Sequence, residues 1–436
     1  MPIEASSQSN TNSDASAQDF PLHIWEPFKN TGFVKLLVLI GILINLFWVF
    51  KCVTGRHDQQ DFAHYYASSK LYLDGNENLY QTDLHETYAE LGWNEFKEPI
   101  FRPTNPPALI KLFVPFALLP PRLAHIAWMI VQLSALCLSL WLTYQVVRDR
   151  LTFEAYQLLI GVFLFLPFLR HHLIYSQVQL LLMAVLLVSY RLLQIRKGEI
   201  ACVLVSVAAL IKIYPIAILP WFVWRSGPTL ARRFTAAAIS AATLAVGFWL
   251  TDIVLWQQFA EYARPSISIW VKGSQCFTLC SAGERIGSLL TADLANEPYF
   301  QTGLGIGILF FAAFYGWIAF MRKKVSAHGL SIEFALLVLL TLFGGATCWW
   351  HYLVFLLFPM AVSAACLKPN LSMKNLTAAS VVLVMLMQIP ITARPGSWSA
   401  FLGLYLPLWA MLLMAGYLAV KMVTDRSSDQ NLNGTH

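Results

Sequence analysis

Charge is scarce in this chain: only 12% of its 436 residues are Asp, Glu, Lys or Arg, about half the ~25% usual in soluble domains. That scarcity excludes an ordinary soluble enzyme. Also missing are a phosphate-cradling Walker-type loop, a Rossmann glycine pattern and paired Cys/His metal spacing, so nucleotide and metal chemistry have no positive support. The seven cysteines are scattered, mostly inside apolar runs. Cys276 and Cys280 fall in a segment expected outside the cytoplasm, where thiols oxidise, but their spacing alone fixes no disulfide. The formal charge of +6 lies mainly in short loops, which reads as topology information and not as nucleic-acid binding.

What is abundant is hydrophobic residue, 57% of the chain. A bilayer core of ~30 Å needs roughly 20 apolar residues per helix, and such runs repeat from residue 33 to residue 423. The expected fold is an all-α polytopic membrane protein with about 12 membrane segments, some short or broken. They are placed near 33–53, 122–147, 154–170, 177–195, 200–211, 215–224, 234–252, 301–321, 330–348, 350–366, 375–392 and 399–421. Residues 1–32 are polar and expected to be a disordered cytoplasmic tail. Residues 33–423 form one membrane-embedded unit, and 424–436 a second cytoplasmic tail. The first apolar run exceeds a signal-peptide core and lacks a small-residue cleavage site, so it is expected to remain as an anchor.

Short basic loops stay in the cytoplasm. With an inside N-terminus, Arg148 and Arg150, Arg196 and Lys197, Arg225 to Arg233, Arg322 to Lys324, and Lys368 to Lys374 all fall inside. That orientation needs two irregularities. Pro106 to Pro120, with four prolines, becomes a short re-entrant or interfacial helix on the outer side. The stretch Ala201 to Trp224 breaks into two half-length helices meeting at Lys212, an irregularity tolerated only where backbone lines protein or a water-filled cavity. Two long loops then lie outside, 54–105 and 253–300. The first contains a helix over Phe62 to Leu73 that Asp74 and Gly75 terminate.

Four groups of residues have the chemistry to act. Asp61, just beyond the first span, has two readings: a carboxylate that takes a proton from a hydroxyl, or the N-cap of the following helix. Asp58 is its weaker rival. Arg170, His171 and His172, followed by Ser176 and Gln177, mark the junction of two spans, where cations either hold a phosphate or anchor helix ends at headgroups. Lys212 is a charge at membrane depth, which is costly and normally faces a cavity or partner. Trp349, Trp350, His351 and Tyr352 combine an interfacial aromatic belt, the better reading of Trp349, with an imidazole able to bond a phosphate or relay a proton. Arg102, in an otherwise rigid proline-rich turn, is within reach of a phosphate at the outer interface. Lys272 and Arg285 are unranked candidates in the second loop.

The order of these residues resembles glycosyltransferase family 87, the polyprenol-phosphate-mannose-dependent transferases of the GT-C fold class. Asp61-Phe62-x-x-Tyr65-Tyr66 leads through a small-residue helix to Leu73, Gly75 and Tyr80. Pro106-Pro107, the Pro115 to Pro120 run, and Arg122, Leu123, Ala124 with Trp128 follow. Gln177 opens a Leu-rich span, Lys212 stands three residues before Pro215, and the Trp-His-Tyr group precedes a late span. The resemblance covers residues 58 to 366. It departs at Leu79, where the family has Pro, at Asn105, where Tyr is common, at Ser176, where Gly is usual, and at Tyr352, where a second His often follows.

The resemblance implies a GT-C-type fold and an inner-membrane enzyme. It would transfer a hexose, mannose by analogy, from a polyprenyl-phosphate-linked donor to a lipid or glycan acceptor hydroxyl, with inversion, on the extracytoplasmic face. Asp61 maps to the general base. Arg170, Lys212, His351 and Arg102 are then contacts to the donor phosphate or leaving group, and Tyr65, Tyr66, Gln177 and His171 contacts to sugar or acceptor. No metal and no cofactor beyond the lipid-linked donor is indicated. The alternative is a transporter or flippase of lipid-linked or small solutes, which is expected to show paired repeats and ionisable residues in both membrane halves.

Overall fold

The computed structural model describes residues 31–54, 61–93, 102–271, 276–283, 286, 297–320, 325–345, 348–367 and 406–433. Among these the chain is helical, with 83% helix and no strand. The helices are α1 (Thr31–Thr54), α2 (Asp61–Leu73), α3 (His85–Glu90), α4 (Pro107–Ala117), α5 (Pro121–Val147), α6 (Phe153–Phe165), α7 (Pro167–Tyr175) and α8 (Gln179–Gln194). They are followed by α9 (Gly198–Ile211), α10 (Leu219–Arg225), α11 (Leu230–Leu250), α12 (Ile253–Val271), α13 (Glu297–Phe320), α14 (Ala327–Gly344), α15 (Leu357–Cys366) and α16 (Leu406–Asn433). Two 3-10 turns, Tyr214–Ala217 and Trp350–Leu356, interrupt the series.

Six of these helices are long and apolar enough to cross a membrane, or seven if the bent pair α6–α7 counts as one span. Their lipid-facing character is plain in side chains such as Phe50, Trp249, Leu309 and Phe320, all exposed. The protein is therefore membrane-embedded. The segment 375–392 lies outside the described residues, as do the first thirty residues.

Prolines decide where the apolar runs are cut. The expected straight span over 154–170 is instead two helices meeting at 57°. Leu166 is forced extended (φ −67°, ψ 134°) because Pro167 follows it, and Pro167 has no N–H to continue the ladder. Arg170, His171 and His172 consequently ride on α7, which tips across the bundle. The expected break at Lys212 is present: α9 stops at Ile211, and Lys212 is extended (φ −143°, ψ 134°). Pro215 lacks a donor, and its ring would clash with the Ile211 carbonyl four residues earlier. The run 350–366, expected as one helix, starts as the Trp350–Leu356 3-10 turn.

Helix α4, 11 residues long, reaches roughly 16 Å, too short to cross a bilayer. It starts with Pro107 at its first position, where a missing N–H costs nothing, and packs along α2. Helix α2 ends as expected: Gly75 takes φ 78°, and the Asn76 N–H bonds back to the Leu71 carbonyl at 3.2 Å, satisfying an orphan carbonyl. One hydrophobic core of α2, α4, α5, α7, α8, α9, α10 and α14 side chains holds these short pieces together.

Candidate active site

Three chain breaks converge on Asp61. Asp61 lies in the first turn of α2, a helix outside the spanning segments, with Tyr65 one turn further on. Gln177 follows Ser176, whose left-handed conformation (φ 53°, ψ 44°) ends α7. Lys212 stands in the gap after α9. The Gln177 amide donates to an Asp61 carboxylate oxygen and accepts from the Tyr65 hydroxyl at 2.5 Å. Lys212 Nζ donates to Asn105 Oδ1 at 2.9 Å, and its charge also reaches Asp61. Asn105 is fixed in turn, its carbonyl accepting from the Tyr80 hydroxyl at 2.6 Å.

Burial pushes the Asp61 carboxyl up to about 6, while Lys212 and the Gln177 hydrogen bond pull it back down. A carboxyl so placed is ionised near neutrality yet basic enough to accept a proton. His64 adds no cation. Its Nε2 accepts from the Thr104 N–H at 3.1 Å, and burial, aided by Lys212, depresses the imidazole to about 3.

A file of rings closes the far side. His171 stacks on Trp350 (5.8 Å between centroids) and on Tyr175 (6.2 Å). Tyr175 meets His351 (6.2 Å), His351 meets Tyr352 (5.0 Å), and Tyr352 meets Tyr214 (5.4 Å). Lys212 is within electrostatic reach of His351, and Asp61 within reach of Tyr175 and Tyr352. Asp61, Tyr65, Gln177, Lys212 and His351 thus share one locus, and His171 is joined to His351 through the Tyr175 ring.

Other expected residues stand elsewhere. Arg170 lies over the Trp48 ring of α1 at 5.4 Å, and Arg102 over Tyr262 at 5.7 Å. The Tyr66 hydroxyl donates to the Leu119 carbonyl at 2.9 Å, and its ring packs on Trp93; neighbours on a helix diverge by about 100°, so Tyr65 and Tyr66 cannot serve one site equally. Trp349 pairs its backbone with Cys276 and packs against the core, as an inner support of the motif. Cys276 and Cys280 are free and buried; the Cys276 sulfur accepts from the Cys348 N–H at 3.3 Å. Asp58, Lys272 and Arg285 lie outside the described residues.

Sequence reasoning passed over Tyr175, Tyr214 and the part played by Asn105. Asn105 carried a signal, a polar residue in a proline-rich turn; nothing in the sequence set the two tyrosines apart.

The profile of glycosyltransferase family 87 matches residues 104–342. No curated protein and no solved structure matches the chain. The matched stretch holds Asn105, Gln177 and Lys212, whereas Asp61 and His351 fall on either side of it and join it through the contacts above. Since the match spans more than half of the chain, this membrane-embedded protein belongs to glycosyltransferase family 87 and is a glycosyltransferase.

Proposed function

We propose that the protein transfers a hexose, mannose by family resemblance, from a polyprenyl-phosphate-linked donor to a lipid or glycan hydroxyl on the extracytoplasmic side of the inner membrane, within a GT-C-type fold. The observation that carries this reading is the Asp61 carboxylate, oriented by Gln177 and facing the charge of Lys212 at a helix break. Asp61 takes the proton of the acceptor hydroxyl. The hydroxyl oxygen attacks the anomeric carbon as its bond to the phosphate oxygen breaks, and the polyprenyl phosphate leaves with the electron pair. Base and leaving group on opposite faces of the sugar give inversion.

Lys212 and His351 receive the negative charge that grows on the phosphate oxygen, since preorganised donors act strongly where water is scarce. Tyr65 and Gln177 line the sugar and acceptor side, with His171 at the edge. Arg170 and Arg102, stacked on Trp48 and Tyr262 away from Asp61, are assigned only to the approach of the lipid phosphate, which stacked guanidinium groups suit. The agreement of all basic clusters with one orientation supports the extracytoplasmic placement.

The test is incubation of purified protein with radiolabelled polyprenyl-phosphate hexoses and a lipid extract, followed by product analysis. Asp61→Asn is expected to lose about 10²–10⁴-fold in transfer, the usual contribution of a general base, with unchanged expression and helicity. Full activity in that variant removes the mechanism. Translocation of the lipid-linked sugar with no new glycosidic bond would establish the transporter reading instead.

A further inference from the structure

Helix α5 is apolar enough to span a membrane, yet among the side chains with polar atoms that it buries completely are His125, Trp128 and Gln132, each 0% exposed. Steps of three and four residues put all three on one stripe. Polar groups at such positions normally face protein and serve a purpose beyond packing.

Each of the three meets the turn between α7 and α8. His125 Nε2 bonds the Ser176 hydroxyl at 2.9 Å. Trp128 Nε1 donates to the Ser176 carbonyl at 2.7 Å. The Gln132 amide donates to the Gln177 carbonyl, and its oxygen accepts from His172 Nε2 at 3.3 Å. Ser176 is held at φ 53°, a left-handed conformation that glycine adopts freely and serine keeps only where its surroundings enforce it. Both backbone carbonyls of the turn are engaged by α5, which leaves the Gln177 side chain for Asp61 and Tyr65.

The same stripe also locates α2. The His125 ring stacks on Phe62, next to Asp61, at 4.5 Å. Trp128 packs on Phe113 of α4 at 4.5 Å, and Phe113 on Tyr65 at 4.9 Å. One helix face therefore fixes both members of the Asp61–Gln177 pair relative to each other.

We propose that His125, Trp128 and Gln132 form a positioning cradle that sets the orientation of the Gln177 amide, so that its N–H meets the Asp61 carboxylate and its carbonyl meets the Tyr65 hydroxyl. An amide turned over would aim its oxygen at the carboxylate, a repulsive arrangement. The cradle touches no reacting atom. It rests on the reading of Asp61 as base and acts through Gln177.

The experiment uses the full-length protein in detergent with Trp128→Phe, which removes the indole donor together with part of the ring, and Gln132→Met, which keeps side-chain length but removes both polar atoms. Ser139→Ala is the control, a fully buried hydroxyl on the same helix that bonds its own Ala135 carbonyl at 2.7 Å. The two cradle variants are expected to lose about 10–100-fold in kcat, with KM for the polyprenyl-phosphate sugar changed by less than about threefold. Infrared titration of the Asp61 carboxyl, assigned by its disappearance in Asp61→Asn, supplies a readout free of turnover. Its midpoint is expected to move above about 6, because the Gln177 bond holds it down. Lys212, Tyr65, Tyr175 and Tyr352, which also act on or feel Asp61, are untouched by these substitutions. Unchanged kcat and an unchanged midpoint overturn the cradle, even if thermal stability falls. Absence of transfer by the wild type instead defeats the functional reading, and the infrared titration still decides the cradle.

Discussion

Two partly buried cations stand at the two ends of α9 and are treated in opposite ways. Gly198 at its start packs against Ser226, which puts Arg225 level with that end, whereas Lys212 follows its last residue; 14 residues separate the levels by roughly 20 Å. Arg225 is held in a bidentate ion pair. Its guanidinium donates twice to Glu333, at 2.9 and 2.6 Å, and Glu333 also accepts from the Trp221 indole at 3.1 Å. Lys212 and Asp61 each bond to a neutral amide and feel one another's charge, but the described ion pairs include none between them. A closed pair is a rivet; opposite charges held by separate neutral partners keep capacity for a substrate that brings its own anion and hydroxyl.

The sharpest way to break this comparison is to cut the rivet. Glu333 is 0% and Arg225 13% exposed, so Glu333→Ala strands a buried guanidinium and is expected to cost about 3–5 kcal/mol of stability. Thermal unfolding in detergent should show a large fall, and the apolar double substitution Arg225→Met with Glu333→Leu should recover most of it. Transfer per folded molecule should be nearly unchanged in that double variant. A selective loss of kcat there would mean that both ends take part in the reaction.

At the other end the expected pattern reverses. Lys212→Met is expected to lower kcat/KM by about 100-fold, about 3 kcal/mol of transition-state stabilisation, with little loss of unfolding temperature. Lys212 bonds neutral Asn105 and sits where the chain is already broken; Asp61 keeps its Gln177 bond and takes up a proton more readily once the Lys212 charge no longer opposes it, so no fixed charge is stranded. A variant that unfolds as readily as Glu333→Ala, yet keeps its rate, would make Lys212 a second rivet.

The membrane character, the helix ends at Gly75 and Lys212, and the approach of Asp61, Gln177 and Lys212 were legible in the sequence. The first two rest on strong local signals, a long apolar run and a glycine, proline or costly charge that breaks a helix, whereas the approach of Asp61, Gln177 and Lys212 was implied by the family resemblance. The bend at Pro167 had the same signal, but an apolar run through it masked the turn of α7. Arg170, Arg102 and Tyr66 looked equivalent to their neighbours because direction around a helix or out of a turn decides what they meet, and that depends on α1, α12 and the Leu119 loop. The stripe on α5 was readable in principle, as polar residues spaced by three and four in an apolar helix, but its meaning depended on a turn about fifty residues away.

The smallest effect sharpens the contrast from the side of stability. Asp61 is ordinarily a group of 3.8 raised here to about 6, chiefly by burial, so the fold prefers its neutral form. That preference stabilises the protein fully below pH 4 and is lost as pH rises through 6. At pH 8 the ionised carboxylate is therefore a burden, and Asp61→Asn, neutral at every pH, is expected to be the more stable protein by about 1–2 kcal/mol for a carboxyl that keeps some exposure. At pH 4 the two should unfold together. Unfolding temperatures measured across this range would thus show a substitution that stops transfer while strengthening the fold, the reverse of Glu333→Ala. Equal stability at pH 8 would mean that Lys212 and Gln177 fully compensate the buried charge, making Asp61 a settled structural ion instead of a base kept ready to receive a proton.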